Sequence, residues 1–329
     1  MNKKHKLEIL VPQYNEDDQI IKFLLDSIAI QQGIDMNEIG VIICNDGSNI
    51  YLSDELLSSY KYDISYYKCS HKGVSATRNM CLDLSTADYI MFCDADDMFF
   101  SALGLWMIFD EIDKYNFDDL TSEFLSEEID NRTGKVSYGI YDHDGIFVHG
   151  KVFKRQYIID NKIRFNEKLT ICEDCNFVAL AQSFTNNHRY VSKPFYIWKW
   201  RENSVSRKDK SFEFYCNLQM LESNSDLLEK LLARNLSDIA AGYAVQMVLN
   251  FYYMSTSSEW ASKINTQEYK TIFDGYINWF KLYGFLWNGV SIKDKSEVIR
   301  QLFSTVSKNT FYKEASNIEK WLVEQNLIV

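Results

Sequence analysis

The amino-acid sequence predicts an α/β domain followed by an all-helical region. Short β-rich runs alternate with stretches of helical spacing through the first half of the chain, the order expected of βαβ units. Nine of the 13 glycines fall in the first 150 residues. Beyond Arg207 there is no proline, only four glycines remain, and apolar residues recur three and four apart, as at Leu227, Leu228, Leu231, Leu232 and Ile239. The expected division is therefore 1–206 and 207–329.

Taken in order, Leu7–Val11 reads as a strand closed by Pro12, and residues 17–32 as a helix with Ile20, Ile21, Leu24, Leu25 and Ile28 at helical spacing. Val41–Cys44 is a second strand, ended by the turn residues Asn45-Asp46-Gly47-Ser48. A short strand is expected at Ile64–Tyr67 and a helix at Val74–Leu84. A buried strand at Tyr89–Cys93 then runs directly into Asp94-Ala95-Asp96-Asp97. Open α/β sheets collect their ligands at such strand ends.

The 329 residues are 46% hydrophobic and 25% charged, a globular composition with enough chain to bury a core. No apolar run approaches the ~20 residues that cross a bilayer. The basic start Asn2-Lys3-Lys4 leads into a strand instead of a long apolar leader, which argues against secretion. Seven cysteines, an odd number scattered over the chain, argue against a disulfide framework and for a cytoplasmic protein, with peripheral contact at the inner face of a membrane left open. The net charge of -11 speaks against nucleic acid as a partner. Residues up to Ser206 carry 32 acidic and 21 basic side chains, and the rest of the chain carries 14 of each. The segment 110–130 alone holds nine acids against Lys114 and is expected to be a solvated helix face or loop.

Asp94 and Asp96, two residues apart after a strand, can both turn toward a hard divalent cation such as Mg2+ or Mn2+, which takes oxygen ligands and shares them with substrate phosphates. Alone, such a run is equally well a solvated turn. Three further segments change that weighting: Val11–Glu16 ends the first strand, Cys44–Ser48 ends the second, and His71–Asn79 opens the helix before the Asp-rich turn. In this order and spacing the four resemble the family 2 glycosyltransferases, inverting enzymes with a GT-A fold that use nucleotide-diphosphate sugars. The resemblance covers roughly residues 7–206.

It implies a GT-A-like mixed sheet flanked by helices, and a nucleotide-sugar site drawn from Pro12, Tyr14, Asn15, Glu16, Asp46, His71, Gly73, Arg78, Asp94 and Ala95. Pro12, Tyr14 and Glu16 match the wall of the nucleotide pocket. Asp46 matches an acid that bonds the base, commonly uracil, whose ring N–H suits a carboxylate acceptor. Arg78 matches an arginine near the pyrophosphate. Asp94 and Asp96 match the Asp-x-Asp motif that touches the ribose and holds the metal, and Asp97 is often acidic as well. Downstream, Lys151–Arg155 and Cys172–Phe177 are similar to acceptor-side segments, with Asp174 as general base beside Glu173. An inverting displacement needs such a group, because the acceptor hydroxyl loses its proton as it attacks. The diphosphate leaves without a general acid when a metal and an arginine stabilise its charge. Trp198–Arg207 resembles a loop that closes over the donor, which makes Arg201, Ser204 and Arg207 phosphate contacts.

Three positions depart from the family's usual residues: His71 stands for Asn, Asn45 for Asp and Ala87 for Gly. The implied donor is a UDP-sugar, the cofactor Mn2+ or Mg2+, and the acceptor a hydroxyl of a glycan, cell-surface polymer, lipid-linked sugar or protein. One rival is a nucleotidyltransferase, which would normally show a Gly-rich phosphate loop near its start. Another is a non-catalytic sugar-nucleotide or glycan-binding module, against which the set Asp94, Asp96 and Asp174 argues. Cys172-x-x-Cys175 has redox or half-zinc spacing, with no second pair to complete four ligands. The aromatic runs at 250–254 and 276–287 read first as core. Their alternatives are a sugar-polymer platform, a partner or homo-oligomer surface, or a membrane interface, the last weakened by the region's neutrality.

Overall fold

The computed structural model describes residues 5–130, 132–201, 211–257, 260, 263–302 and 308–328. The chain divides into two compact units, Met1–Lys208 and Asp209–Val329.

The first unit grows outward from β1 (Leu7–Gln13), whose apolar residues are buried on both faces, as a central parallel strand requires. β1 pairs in parallel with β2 (Ile39–Asp46) along its whole length and with β4 (Tyr89–Phe92) from Leu7↔Tyr89 to Leu10↔Phe92. Leu10 accepts from the Cys93 N–H, so Pro12, two residues on, turns its missing N–H to the side where β4 has already ended. This is how a central strand tolerates a proline, and β1 runs two residues past the expected end. β2 pairs with β3 (Asp63–Cys69), and Leu7, Ile9 and Val11 pack on Ile21, Leu24, Leu25 and Ile28 of α1 (Asp18–Ala29). Asp17 caps α1 by accepting from the Gln19 and Ile20 N–H groups at 3.0 Å. α3 (Val74–Leu84) packs against β1 and β2, and has the expected bounds.

Beyond β4 the sheet turns mixed. β9 (Lys151–Lys154) runs antiparallel to β4 and to β6 (Asp119–Ser122), and β10 (His188–Val191) closes the order β10-β6-β9-β4-β1-β2-β3. Under β4, Phe92 meets Phe165 and Phe177 edge-on at 5.0 and 5.6 Å, and those two rings stack at 4.2 Å. This packing anchors α6 (Glu173–Ser183) beneath the strand ends. A second sheet of order β5-β11-β7-β8 joins Met98–Phe99, Tyr196–Trp198, Phe124–Ile129 and Val136–Tyr141.

The acidic segment is not the solvated face its charge suggested. Residues 110–114 end α4 (Gly104–Lys114), but the rest builds β6 and β7. Leu120, Phe124 and Leu125 alternate with the acids and bury them part of the way; Asp119 is wholly buried against the His188 ring nitrogen and Gln182. The partners that let Asp119 be buried, His188 and Gln182, lie 69 and 63 residues along the chain.

In the second unit the described residues form helices Ser211–Ala233, Ser237–Thr256, Gln267–Asn288, Ile292–Leu302 and Lys308–Glu324. The aromatic runs are mostly core: Phe251 stacks on Tyr276 at 4.8 Å, and Trp279 and Trp287 are buried, while Tyr253, Leu282 and Phe285 reach the surface. No helix of the described residues is long and apolar enough to cross a membrane.

Candidate active site

The C-terminal ends of β1, β2 and β4 open onto one edge, and the sequence motifs meet there. After β1, Asn15 takes a left-handed φ of 66°, held by its N–H on Ser48 Oγ at 2.8 Å and by its side-chain oxygen on the Asn49 N–H at 3.0 Å. That bend leaves Tyr14 about half exposed at 48% and stacked on His71, with ring centroids 4.5 Å apart. Pro12, two residues before Tyr14, is partly buried.

Asp46 ends β2 with its carboxylate turned inward. It accepts from the Lys72 and Gly73 N–H groups at 2.7 and 2.9 Å, and His71 Nδ1 lies 2.9 Å from the carboxylate and 3.1 Å from the Asp46 carbonyl oxygen. The side chain expected to meet a base thus fastens the turn before α3. Gly73 enters α3 at φ 94° and Gly47 sits at φ 66°, where an added Cβ would lie 2.4 Å from the His71 backbone nitrogen. Both positions therefore need glycine.

Asp94, Ala95, Asp96 and Asp97 follow β4 and point to different partners. Asp96 Oδ2 accepts from Arg201 Nη1 at 3.0 Å, and the same nitrogen reaches Glu16 Oε1 at 3.0 Å. Burial raises the carboxyls of Glu16 and Asp96, the latter also because Asp94 is close. Asp97 is wholly buried and accepts from the Tyr196 hydroxyl at 2.5 Å and the Lys199 N–H at 2.8 Å. Burial and the two neighbouring aspartates push it well up. Ala95 is buried. Ser204 and Arg207 lie outside the described residues.

Arg78, only 3% exposed, joins the two halves of the site. Its Nη2 donates to Asp94 Oδ1 at 2.9 Å, and its Nη1 to Glu173 Oε1 at 2.9 Å and Asp174 Oδ1 at 2.5 Å. The guanidinium lies over the Phe165 ring at 5.3 Å. Burial works against its charge, but the three carboxylates outweigh that and keep it protonated. Burial likewise works to raise Asp94, and Arg78 overcomes it, leaving Asp94 lowered. Glu173 is pushed up to about 7 by burial and by Asp174, with Arg78 opposing. Glu173 and Asp174 open α6 from the N-cap Cys172, where the helix dipole favours negative charge. The arginine expected at a pyrophosphate thus has both terminal nitrogens on carboxylates.

Two groups at the site carry no sequence motif. The Val148 N–H donates to Asp174 Oδ2 at 3.4 Å. His149, 3% exposed, stacks on Tyr196 at 5.1 Å, and its Nδ1 has no hydrogen-bond partner among the described residues. Burial lowers its pKa, so the ring is a neutral potential ligand. The loop carrying both is pinned by the buried Lys151, which donates to Asp144 at 2.9 Å, while Asp144 also accepts the Phe147 N–H at 2.8 Å. A lone histidine before a strand gives no signal in a sequence; its orphaned nitrogen becomes visible only in the fold.

Ligand atoms of Asp94, Asp97 and His149 lie within 4.8 Å of one another. Among the described residues, Arg78 meets Asp94, Glu173 and Asp174 and Arg201 meets Glu16 and Asp96, while Asp97 meets the Tyr196 hydroxyl and the Lys199 N–H, so these carboxyls outnumber the cations they contact. This oxygen-rich, under-compensated donor set with one neutral imidazole fits a divalent cation.

An α/β domain with its acids gathered at the strand ends of a mixed sheet defines the class of nucleotide-sugar-type GT-A folds. The chain belongs to glycosyl transferase family 2, whose pattern matches residues 8–185. It is similar to a Staphylococcus aureus TarS fragment, residues 1–349, solved in complex with UDP-GlcNAc, at 18% identity and a TM-score of 0.64 over 98% of this chain and 92% of that one, a likeness of fold. It is 24% identical to the uncharacterized glycosyltransferase YibD of Escherichia coli over 72% of this chain and 74% of that protein. It is 29% identical to the poly(ribitol-phosphate) beta-glucosyltransferase of Bacillus spizizenii over 54% of this chain. The chain spans 29% of that enzyme's length, and 18% of an uncharacterized Rickettsia bellii glycosyltransferase to which it is 31% identical.

Proposed function

We propose that the protein transfers a sugar from a UDP-sugar to an acceptor hydroxyl with inversion, using Asp174 as general base. The observation that carries this reading is the Arg78 bridge, which ties Asp174 and Glu173 to Asp94 in one buried cluster at the sheet edge. Asp174 has one oxygen on Arg78 and the other beside the Val148 N–H, which fixes the carboxylate plane for an incoming hydroxyl. It takes the acceptor proton as that oxygen attacks the anomeric carbon from the face opposite the diphosphate. Arg78 holds the base in place instead of meeting phosphate. Arg201, on the more open side beside Glu16 and Asp96, is the cation that can turn to the leaving diphosphate.

Asp94 would hold Mn2+ or Mg2+ together with Asp97 and His149, whose ligand atoms lie within 4.8 Å of its own, and Asp96, now on Arg201, would join as a ligand once Arg201 turns to the diphosphate. Such an ion supplies compensation for the charge of the leaving diphosphate. Tyr14 stacked on His71 forms the shelf for the base, with Asp46 holding that shelf by bonding His71. Residues 1–206 form the catalytic domain, and the helical remainder serves acceptor binding, partner binding or self-association. The relative named for poly(ribitol-phosphate) glucosylation supports a hexosyl transfer to a cell-surface polymer. The seven free thiols support work in the cytoplasm.

The test is UDP release from a panel of UDP-sugars with Mn2+ or Mg2+ and polyol-phosphate or glycan acceptors. Acceptor-stimulated release from one donor is expected. Tight UDP binding with no release from any donor and acceptor pair would instead identify a binding module.

A further inference from the structure

Two thiols flank the proposed base, and the transfer chemistry uses neither. Cys172 is the N-cap of α6, at a left-handed φ of 62°, and Cys175 lies in the first turn of the same helix. The Asn176 N–H donates to the Cys172 carbonyl at 3.2 Å and closes that turn. Residues three apart on a helix stand about 5–6 Å apart at Cβ, and a disulfide needs about 3.5–4.5 Å, so this closed turn, with its left-handed Cys172, must draw the pair together by roughly 1–2 Å. Both cysteines are free and half-buried. The two thiols also touch: a hydrogen bond from Cys175 holds the Cys172 thiol below its ordinary range and pushes Cys175 up. Cys44 and Cys81 touch as well, but both are wholly buried under the sheet.

We propose that Cys172 and Cys175 form a reversible intrachain disulfide that displaces Asp174 and makes the site responsive to thiol redox state. This rests on the reading of Asp174 as the base. The oxidant is a low-molecular-weight disulfide such as oxidised glutathione. The Cys172 thiolate attacks one of its sulfurs, forming a mixed disulfide and releasing one glutathione thiolate. The Cys175 thiolate then attacks the Cys172 sulfur and releases the second. The protein loses two protons and two electrons, and both glutathione halves leave as thiols.

Forming the bond draws the sulfurs from hydrogen-bond contact to about 2.0 Å. The turn that presents Glu173 and Asp174 lies between them, and both acids depend on one Arg78 nitrogen. A displacement on the order of 1 Å at a reacting group costs about 100-fold in rate.

The protein is equilibrated in glutathione buffers of graded oxidation, alkylated and digested; the peptide holding residues 172–175 is weighed, and transfer is measured on the same samples. We expect that peptide to lose two hydrogens, transfer to fall between about tenfold and 100-fold over the same titration, and dithiothreitol to restore it. Cys172→Ser, which lacks the attacking thiol, should stay active at every ratio. Thiols that stay reduced in fully oxidised buffer, a mixed disulfide that never resolves, a disulfide that leaves the rate unchanged, or a Cys172→Ser variant as sensitive as the parent would each overturn the proposal. The peptide mass reads the disulfide without reference to activity, so a failure of the base assignment, seen as full transfer by Asp174→Asn, is distinguishable from a failure of the switch.

Discussion

Replacing Arg78 with glutamine probes the joint on which the site depends. The guanidinium serves Glu173, Asp174 and Asp94 at 2.9, 2.5 and 2.9 Å from a position that is 3% exposed. Glutamine is too short and too weak a donor to reach both sides, so three buried carboxyls lose their shared cation. Breaking a buried pair by removing one partner costs about 3–5 kcal/mol. For a unit of this size each kcal/mol lowers the melting temperature by about 2–4 °C, which gives a drop of roughly 6–20 °C. The sign of the pH dependence follows from linkage. Arg78 lowers Asp94 and opposes the rise of Glu173, so without it the folded-state pKa values of those two carboxyls rise, the folded variant binds more protons than the folded parent, and its deficit grows as pH rises. Thermal unfolding by near-ultraviolet circular dichroism near pH 5 and near pH 8 reads both quantities. A variant within about 0.5 kcal/mol of the parent, or a deficit larger at the lower pH, would refute the reasoning, since surface changes alone stay within that margin.

Two further outcomes follow from the same contacts. Glu173 sits at about 7 in the folded protein against 4.5 ordinarily, so the folded state binds more protons and stability falls as pH rises between those values. Glu173→Gln should therefore leave unfolding unchanged near pH 4 and stabilise the metal-free protein near pH 8 by no more than ~3 kcal/mol, measured by denaturant titration; equal effects at both pH values would contradict the shift. Tyr196→Phe removes the hydroxyl that donates to buried Asp97 and accepts the Asp94 N–H at 3.1 Å. It should cost about 1–3 kcal/mol in stability and weaken Mn2+ binding by calorimetry, whereas an unchanged protein would show Asp97 to be satisfied without it.

The parts of this fold that the sequence discloses are those whose causes are local. α3 has the bounds its spacing predicts because its apolar face and the Gly73 entry are both written within a dozen residues. β5 and β11 escape notice because strands of two and three residues exist only through pairing with distant partners, as at Tyr196↔Phe99, nearly a hundred residues apart, and Ile197↔Leu125. The same distance hides the fate of Asp119, whose burial depends on His188, 69 residues away. At the site, motif spacing marks the acids but not their connections: Arg78 meets Asp94 at a separation of 16 residues and Glu173 and Asp174 at 95 and 96. Asp46 reads in the sequence as a turn acid that bonds the base, and only the fold shows the Lys72 and Gly73 N–H groups on its carboxylate. His149 and the Val148 N–H have no sequence signature at all, since one is an isolated residue and the other a main-chain group.

The central claim is that Asp174 removes the acceptor proton. Asp174→Asn preserves size, and its amide oxygen still accepts from Arg78, so the fold and the nucleotide shelf should persist. Single-turnover transfer from the active UDP-sugar, paired with UDP affinity on the same preparation, is the direct measurement. The account predicts UDP affinity close to that of the parent and transfer slowed by about 100- to 10,000-fold. Turnover equal to that of the parent would contradict it.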